Sequence, residues 1–337
     1  MNHINSIRGL DFLLGLASLV IVIAGIKLSQ EVVLPLLLAL FISILSMPLL
    51  FWFKSKKLPD WLSLIFILGL WLCIFTIFGT IVAVSATDLV NNLPFYQSQL
   101  KIKIGLYYTQ LETLGFSVET INLKELINPS KILQYISTGV AQISSIFTKF
   151  ILLLILVAFM LLEVSKVYGR FQEVSENKNL EKAMVFIGKI NRYVAIKTVI
   201  SALTGLCVSV SLLMMGIHYP ILWGLVTFIL NFVPNIGSII SAVPAIILAV
   251  IQYDLLMGFW VFLVHLCINF VIGNVMEPNY MGGQLGLSPL VVIVSLMFWG
   301  WLLGSVGMFL SVPLTIILKF AFESSESTEW MARLMEE

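Results

Sequence analysis

Between Lys197 and Lys319 the sequence has no lysine or arginine, and its only acids there are Asp254 and Glu277. A water-exposed domain of that length needs charge on its surface, so this absence excludes one. Charge is scarce along the whole chain, 11% of residues against 59% hydrophobic, which is the composition of a polytopic membrane protein. A net charge of +1 leaves no basic field to hold nucleic acid. The three cysteines, Cys73, Cys207 and Cys267, each sit inside an apolar run. That spacing excludes a disulfide framework and a CxxC metal site, and they read as small packing residues. Neither a phosphate-cradling GxxxxGK[ST] loop nor HExxH or GxSxG occurs. Nothing therefore suggests ATP drive or an enzyme, and no cofactor or metal is expected.

What is present is a series of apolar stretches near the roughly 20 residues that a spanning helix needs. They are Leu10–Leu28, Val32–Phe53, Trp61–Ala86, Ile146–Val164, Thr198–Ile217 and Leu255–Gly273, with two longer zones, Ile221–Ile251 and Pro289–Leu318. The expected fold is all-α: about six full spans plus two re-entrant helical hairpins, or eight spans. The first span carries no convincing cleavage site and is expected to remain. Only Ser29–Glu31 separates it from the second, which predicts a tight helical hairpin, and Pro35 and Pro48 predict kinks in the second.

Lysine and arginine crowd the connections after the second span (Lys54, Lys56, Lys57) and after the fourth (Lys166 to Lys197). Placed in the cytoplasm, these put both termini inside. The organisation expected is then spans 1–3 in residues 1–86, an extracytoplasmic amphipathic segment over 87–145, a fourth span and cytoplasmic amphipathic helix over 146–199, a transport core over 200–320, and a cytoplasmic tail over 321–337. In the outer segment Asn92–Leu114 has helical apolar spacing, and Pro129–Ser130 looks like a second helix start. Leu180–Val199 is amphipathic and is expected to lie on the membrane surface before turning into the fifth span.

The two long zones carry interruptions at their centres. Ile221–Ile251 is broken by Asn231-Phe232-Val233-Pro234-Asn235-Ile236-Gly237-Ser238, where Pro removes a backbone donor and Asn and Gly tolerate left-handed turns. As one helix it would measure roughly 46 Å, beyond the ~30 Å hydrocarbon core. Pro289–Leu318 is broken at Trp299-Gly300-Trp301-Leu302-Leu303-Gly304-Ser305-Val306-Gly307. Such interruptions, flanking one plain span, are where transporters build solute sites. The other arrangement that fits is two long tilted spans, with glycines for close packing.

The candidate solute-binding residues follow from these breaks. Asn231, Asn235 and Ser238 either offer donors and acceptors to a solute or cap broken helix ends; Pro234 and Gly237 shape the first break, and Gly300 and Gly304 the second. His265 and Asn269 lie one turn apart on one face of the intervening span, as a buried hydrogen-bonded pair or as solute ligands. Glu277, beside Pro278, is either a solvated cap or a carboxylate that couples transport to an ion.

At these same segments the chain resembles the autoinducer-2 exporter family of bacterial inner-membrane proteins. The matching stretches are Phe232–Ser238 through Pro244, Gly282–Pro289, and Gly300–Pro313 with its Gly-Ser-Val-Gly-Met core; looser similarity covers Pro35, Pro48 and Ile187–Lys197. The resemblance implies a homo-oligomeric transporter, a pentamer, whose hairpins surround a small polar solute and move elevator-fashion. Some relatives are associated with autoinducer-2 and others with sodium or lithium exchange for protons, and no residue set of the family fixes the substrate. The leading expectation is a secondary exporter of a small polar solute or signal in the bilayer of the bacterial inner membrane. The alternatives are a sodium(lithium)/proton antiporter, made less favourable by the thin supply of acids, and a non-transporting envelope scaffold or receptor.

Overall fold

A computed structural model describes residues 14–113 except 16 and 19, residue 138, and residues 150–173, 178–234, 236–281, 287–323 and 328–336. Among these the chain is predominantly helical, with no strand. In chain order the helices are α1 (Gln30–Ser55), α2 (Asp60–Asn91), α3 (Leu93–Thr113), α4 (Phe150–Glu173), α5 (Lys178–Met214), α6 (Pro220–Leu230), α7 (Ile236–Gln252), α8 (Leu255–Asn269), α9 (Glu277–Met281), α10 (Pro289–Glu323) and α11 (Glu329–Leu334). A π-helical stretch, Phe270–Met276, joins α8 to α9. Among the described residues, five helical stretches are long and apolar enough to cross a membrane: α1, α2, Ile187–Met214 of α5, Leu255–Tyr280 and α10. The apolar parts of α4 (Phe150–Val164), α6 and α7 are shorter.

The chain divides into two compact units. One comprises Met1–Leu64, Leu152–Val194 and Gln284–Glu337; the other comprises Ile65–Ile151 and Ala195–Gly283.

In the first unit, residues 20–28 are helical and lead to α1 through a single non-helical residue, Ser29, at φ −91° and ψ 18°. Helix-type bonds persist on both sides, Ser29 N–H to the Gly25 carbonyl and Val33 N–H to the Ser29 carbonyl, each 3.0 Å. Departures of about 28° in φ and 60° in ψ from helical values turn the axis by at most about 90°. The connection is thus a bend and not the tight hairpin expected there. α1 continues through Pro35 and Pro48 without interruption and buries Ala39, Phe41, Ile44, Met47 and Leu50. Phe41 meets Phe309 of α10 edge-on at 5.8 Å between ring centroids.

α10 is two helices in one run, because Gly304 has φ 68° and ψ −152°, a conformation essentially restricted to glycine. The indole N–H of Trp299 donates to Thr315 Oγ1 at 3.0 Å. Sixteen residues apart on a straight helix these would be about 24 Å from each other, so the segment folds back on itself. Gly300 and Gly307 allow the arms to approach: a Cβ on the first would strike the Met308 side chain, and on the second the Trp299 carbonyl. At the open end of this hairpin the tail returns. Ser288 N–H bonds to the Met335 carbonyl at 3.0 Å, and Lys319 pairs with Glu336 at 2.9 Å.

The second unit is built around the α6–α7 hairpin. Tyr219, in a left-handed conformation (φ 60°, ψ 43°), and Pro220 at the first helical position start α6. Its base is tied to the end of α7: His218 N–H donates to Gln252 Oε1 at 3.1 Å, and Tyr253 Oη to the Gly216 carbonyl at 3.2 Å. Residues 34 to 37 apart thus meet, and the segment doubles back at its centre. One core buries Tyr96 and Leu100 of α3, Val208 and Leu212 of α5, Leu222 and Trp223 of α6, and Ala245 and Ala249 of α7. α5 crosses α6 closely enough that a Cβ on Gly205 would meet the Gly224 carbonyl, and one on Gly224 the Gly205 carbonyl.

α5 is one helix of 37 residues running without a break from the amphipathic stretch into the apolar one. The turn expected near Val199 does not occur: no proline lies in the helix, and its glycines, Gly188 and Gly205, both fall elsewhere.

Candidate solute site at the broken helices

Two turns of polar chemistry surround the tip of the first hairpin. Asn231 ends α6: its N–H bonds to the Thr227 carbonyl at 2.8 Å, and its side-chain amide donates to Ser201 Oγ of α5 at 3.0 Å. Val233 N–H returns to the Leu230 carbonyl at 2.8 Å, Pro234 is half-buried, and Gly237 N–H closes onto the Val233 carbonyl at 3.2 Å. Gly237 is buried, and a Cβ there would collide with the Leu230 carbonyl oxygen. Ser238 is half-buried, and its carbonyl accepts from Ser241 Oγ at 2.8 Å. Asn235 lies outside the described residues.

One helical turn before Ser201 on α5 stands Lys197, whose ammonium meets Glu277 Oε1 at 2.5 Å. The lysine side chain is 3% exposed and the glutamate 21%. Glu277 is therefore neither a plain solvated cap nor a lone carboxylate, but half of an ion pair set into the protein. The π-helical stretch explains how it gets there. Glu277 N–H bonds to the carbonyl of Ile272, five residues back, and Ile272 is buried. In an α-helix the place one turn above Ile272 belongs to Met276; the wider turn gives it to Glu277. A tandem of Gly273 and Asn274 within that stretch suits the irregular backbone.

His265 is 2% exposed, its Nδ1 bonds to the Val261 carbonyl of the preceding turn at 3.0 Å, and its Nε2 has no partner among the described residues. Gly258 of α8 faces Val250 of α7; in that antiparallel register His265 stands at the level of Val243, about two turns along α7 from its start at Ile236. Asn269 is half-buried and is the last residue before the π-helical stretch. No hydrogen bond joins it to His265, so the pair expected from their spacing does not form. Gly300 and Gly304 belong to the other unit, where they make the turn of the second hairpin. Beside that turn Lys27 lies over the ring of Trp301, 3.8 Å from its centroid.

At the opposite end of the first hairpin a polar cluster ties its base to α3. Tyr96 Oη and His218 Nδ1 are 2.8 Å apart, and Asn92 donates to Tyr219 Oη at 3.4 Å and to Asp88 Oδ1 at 3.3 Å. The Lys103 ammonium donates to the Tyr253 carbonyl. Burial, reinforced by hydrogen bonds to Tyr96 and Asp88, pushes the Tyr219 phenol well above its ordinary range. Asp254 caps α8, accepting from Met257 N–H at 2.7 Å.

The sequence signature of AI-2E family transporters matches residues 16–327. The chain belongs to the AI-2E family. A putative transport protein of Haemophilus influenzae is 36% identical over 334 residues, covering 96% of this chain and 95% of its own. The AI-2 transport protein TqsA of Escherichia coli is 33% identical over 332 residues, 98% and 96% of the two chains. A sodium-lithium/proton antiporter of Halobacillus andaensis is 24% identical over 343 residues, 94% and 95% of the two. As an AI-2E family member with several long apolar helices, the chain is a multi-pass membrane transporter. Sequence reasoning had marked Glu277 but missed Lys197, the residue that answers it 80 positions away. The available signal was that Lys197 is the last cation before the long cation-free interval.

Proposed function

We propose that this AI-2E family chain is a secondary transporter that exports a small polar solute or signal of the autoinducer-2 kind. The observation that carries this reading is the first hairpin. An apolar segment breaks at its middle, folds back, and offers Asn231, Pro234, Gly237 and Ser238 at its tip; Asn231 bonds to Ser201 of α5, one turn from Lys197, the partner of Glu277. Broken backbone at membrane depth is tolerated where it lines protein or a wet cavity. Hydroxyl and carbonyl groups of a small solute match the donors and acceptors of Asn231, Asn235, Ser238 and Asn269, with His265 Nε2 as one more polar partner. In the other unit, Gly300 and Gly304 shape the turn of the second hairpin.

The working form of this transporter is a homo-oligomer, a pentamer, in the inner membrane, with elevator-like displacement of the hairpin-bearing core and both termini in the cytoplasm. Two contacts support that orientation: the base of the first hairpin is bonded to α3 through Tyr96 and Lys103, and α3 lies in the segment placed outside by lysine and arginine distribution. Cation–proton antiport is a second reading, favoured by the inset Lys197–Glu277 pair.

Reconstitution into liposomes separates the readings. Efflux of autoinducer-2 independent of cations supports export, and dye-reported proton movement on adding sodium or lithium supports antiport. If neither occurs in protein that is folded and inserted, both fail, and the chain is a scaffold.

A further inference from the structure

Both ends of the second hairpin are held by two neighbouring residues of the tail. Ser288, just before the first arm, donates its N–H to the Met335 carbonyl at 3.0 Å. Lys319, just past the second arm, pairs with Glu336 at 2.9 Å. Ser288 lies 16 residues before Gly304 and Lys319 lies 15 after it, so the tail bridges the arms at one level, roughly 23 Å from the turn. The glycine contacts and the Trp299–Thr315 bond that join the arms lie nearer the turn. All of these residues belong to the first unit.

The bridge is weakly fastened. α11 has six residues, too few to hold a helix alone, and buries only Ala332. Trp330 and Leu334, one turn apart, stay 57% and 70% exposed, so most of its apolar surface does not hold the tail down. The Glu336 side chain is 51% exposed, where salt screens its attraction to Lys319. Departure of the tail also leaves no buried cation stranded. Lys319 is 8% exposed, but Glu323, one turn along α10, stands 3.6 Å from the same ammonium. A buried pair is costly to open when the charge left behind has no partner, and Lys319 keeps one. The start of the tail is tied separately, by Thr328 Oγ1 to the Phe322 carbonyl at 3.0 Å, so its end can swing away.

We propose that residues 328–336 form a releasable clasp across the base of the second hairpin, and that the clasp opens to let the two arms part during transport. While it is closed, Met335 and Glu336 fix the spacing of the arm ends. Once it is open, the arms are joined only nearer the turn, and Gly304 is the point about which they spread.

The clasp's part in transport rests on the proposed function, but its opening is read without any solute, so either can fail alone. The full-length protein, with Cys73, Cys207 and Cys267 replaced by Ser, carries Ser288→Cys and Met335→Cys in lipid nanodiscs. Oxidation with copper phenanthroline is expected to join the two cysteines, more slowly when Glu336→Lys is added. The locked protein is expected to exchange amide hydrogens over 289–298 and 310–319 at least ~tenfold more slowly than the reduced protein, as closing a local opening does. Equal exchange in the two forms means that the tail never leaves or holds nothing, and it overturns the proposal. So does crosslinking that Glu336→Lys leaves unchanged. If the cysteine pair fails to fold, Glu336→Lys alone decides: faster exchange of the arms is expected, and unchanged exchange refutes the clasp. In proteoliposomes, efflux lost on oxidation and restored by reductant is the expected result. Undiminished efflux from the locked protein overturns the clasp's role in transport. No efflux from the reduced protein defeats the transport reading and leaves the exchange result to decide the clasp.

Discussion

Replacing Glu277 by Gln strips the partner from an ammonium group that is 3% exposed, whereas replacing Lys197 by Met leaves a carboxylate that still reaches water over a fifth of its surface. Breaking a buried pair from one side costs about 3–5 kcal/mol when the remaining charge is enclosed. Glu277→Gln belongs at that level, reduced somewhat because a Gln oxygen still accepts a hydrogen bond. Lys197→Met belongs nearer about 1–3 kcal/mol, the range for a polar group left partly unsatisfied. The double variant removes both charges and should fall within about 1 kcal/mol of wild type, since a buried pair gains little over a well-packed neutral one. At roughly 2 °C per kcal/mol, Glu277→Gln lowers the apparent Tm by roughly 6–10 °C. Thermal unfolding of the purified protein, followed by tryptophan fluorescence with all four species compared as a double-mutant cycle, measures this. Equal small losses in both single variants, or a double variant that costs their sum, would refute the burial asymmetry on which the account of this pair rests.

Further outcomes follow from the hairpins. Gly237→Leu, whose side chain must displace the Leu230 carbonyl, and Pro234→Ala, which restores a helix donor at the turn, should each abolish transport while the protein still inserts and assembles, read as efflux at matched expression. Gly304→Ala forces a side chain into a backbone region open essentially to glycine, so a loss of about 1–3 kcal/mol is expected by thermal unfolding. Tyr219 titrates higher in the folded than in the unfolded chain, so the folded state holds its proton longer as pH rises; its stability contribution is whole below pH about 10 and declines above it. Tyr219→Phe should flatten that alkaline decline. Asp254→Cys in a cysteine-free background should react with an impermeant maleimide on intact cells; labelling only after permeabilisation would place the base of the first hairpin on the inside.

The breaks were legible in the sequence because proline, asparagine and glycine act locally: Pro234 and Gly237 turn the chain within five residues of each other, and Gly304 does so alone. Three features were not legible, each because it depends on distant chain or on a small dihedral change. The partner of Glu277 lies on another helix, and the π-helical register that aims the carboxylate has no signature beyond a Gly-Asn pair. Ser29 bends the chain where a three-residue connection suggested reversal, because residues on both sides keep helical bonding. α5 remains one helix through Val199 although its amphipathic half looked like a separate surface element. The two lysines that bound the cation-free interval are buried and paired, Lys197 with Glu277 and Lys319 with Glu336. Their scarcity signalled the membrane; their partners required the fold.

The most direct test of a solute site at the first hairpin is efflux of autoinducer-2 from proteoliposomes holding wild-type protein or Gly237→Leu at equal density. Saturable efflux from wild type, lost in the variant, is the expected result. Equal efflux from both, or no efflux from wild type beyond that of protein-free liposomes, would contradict it.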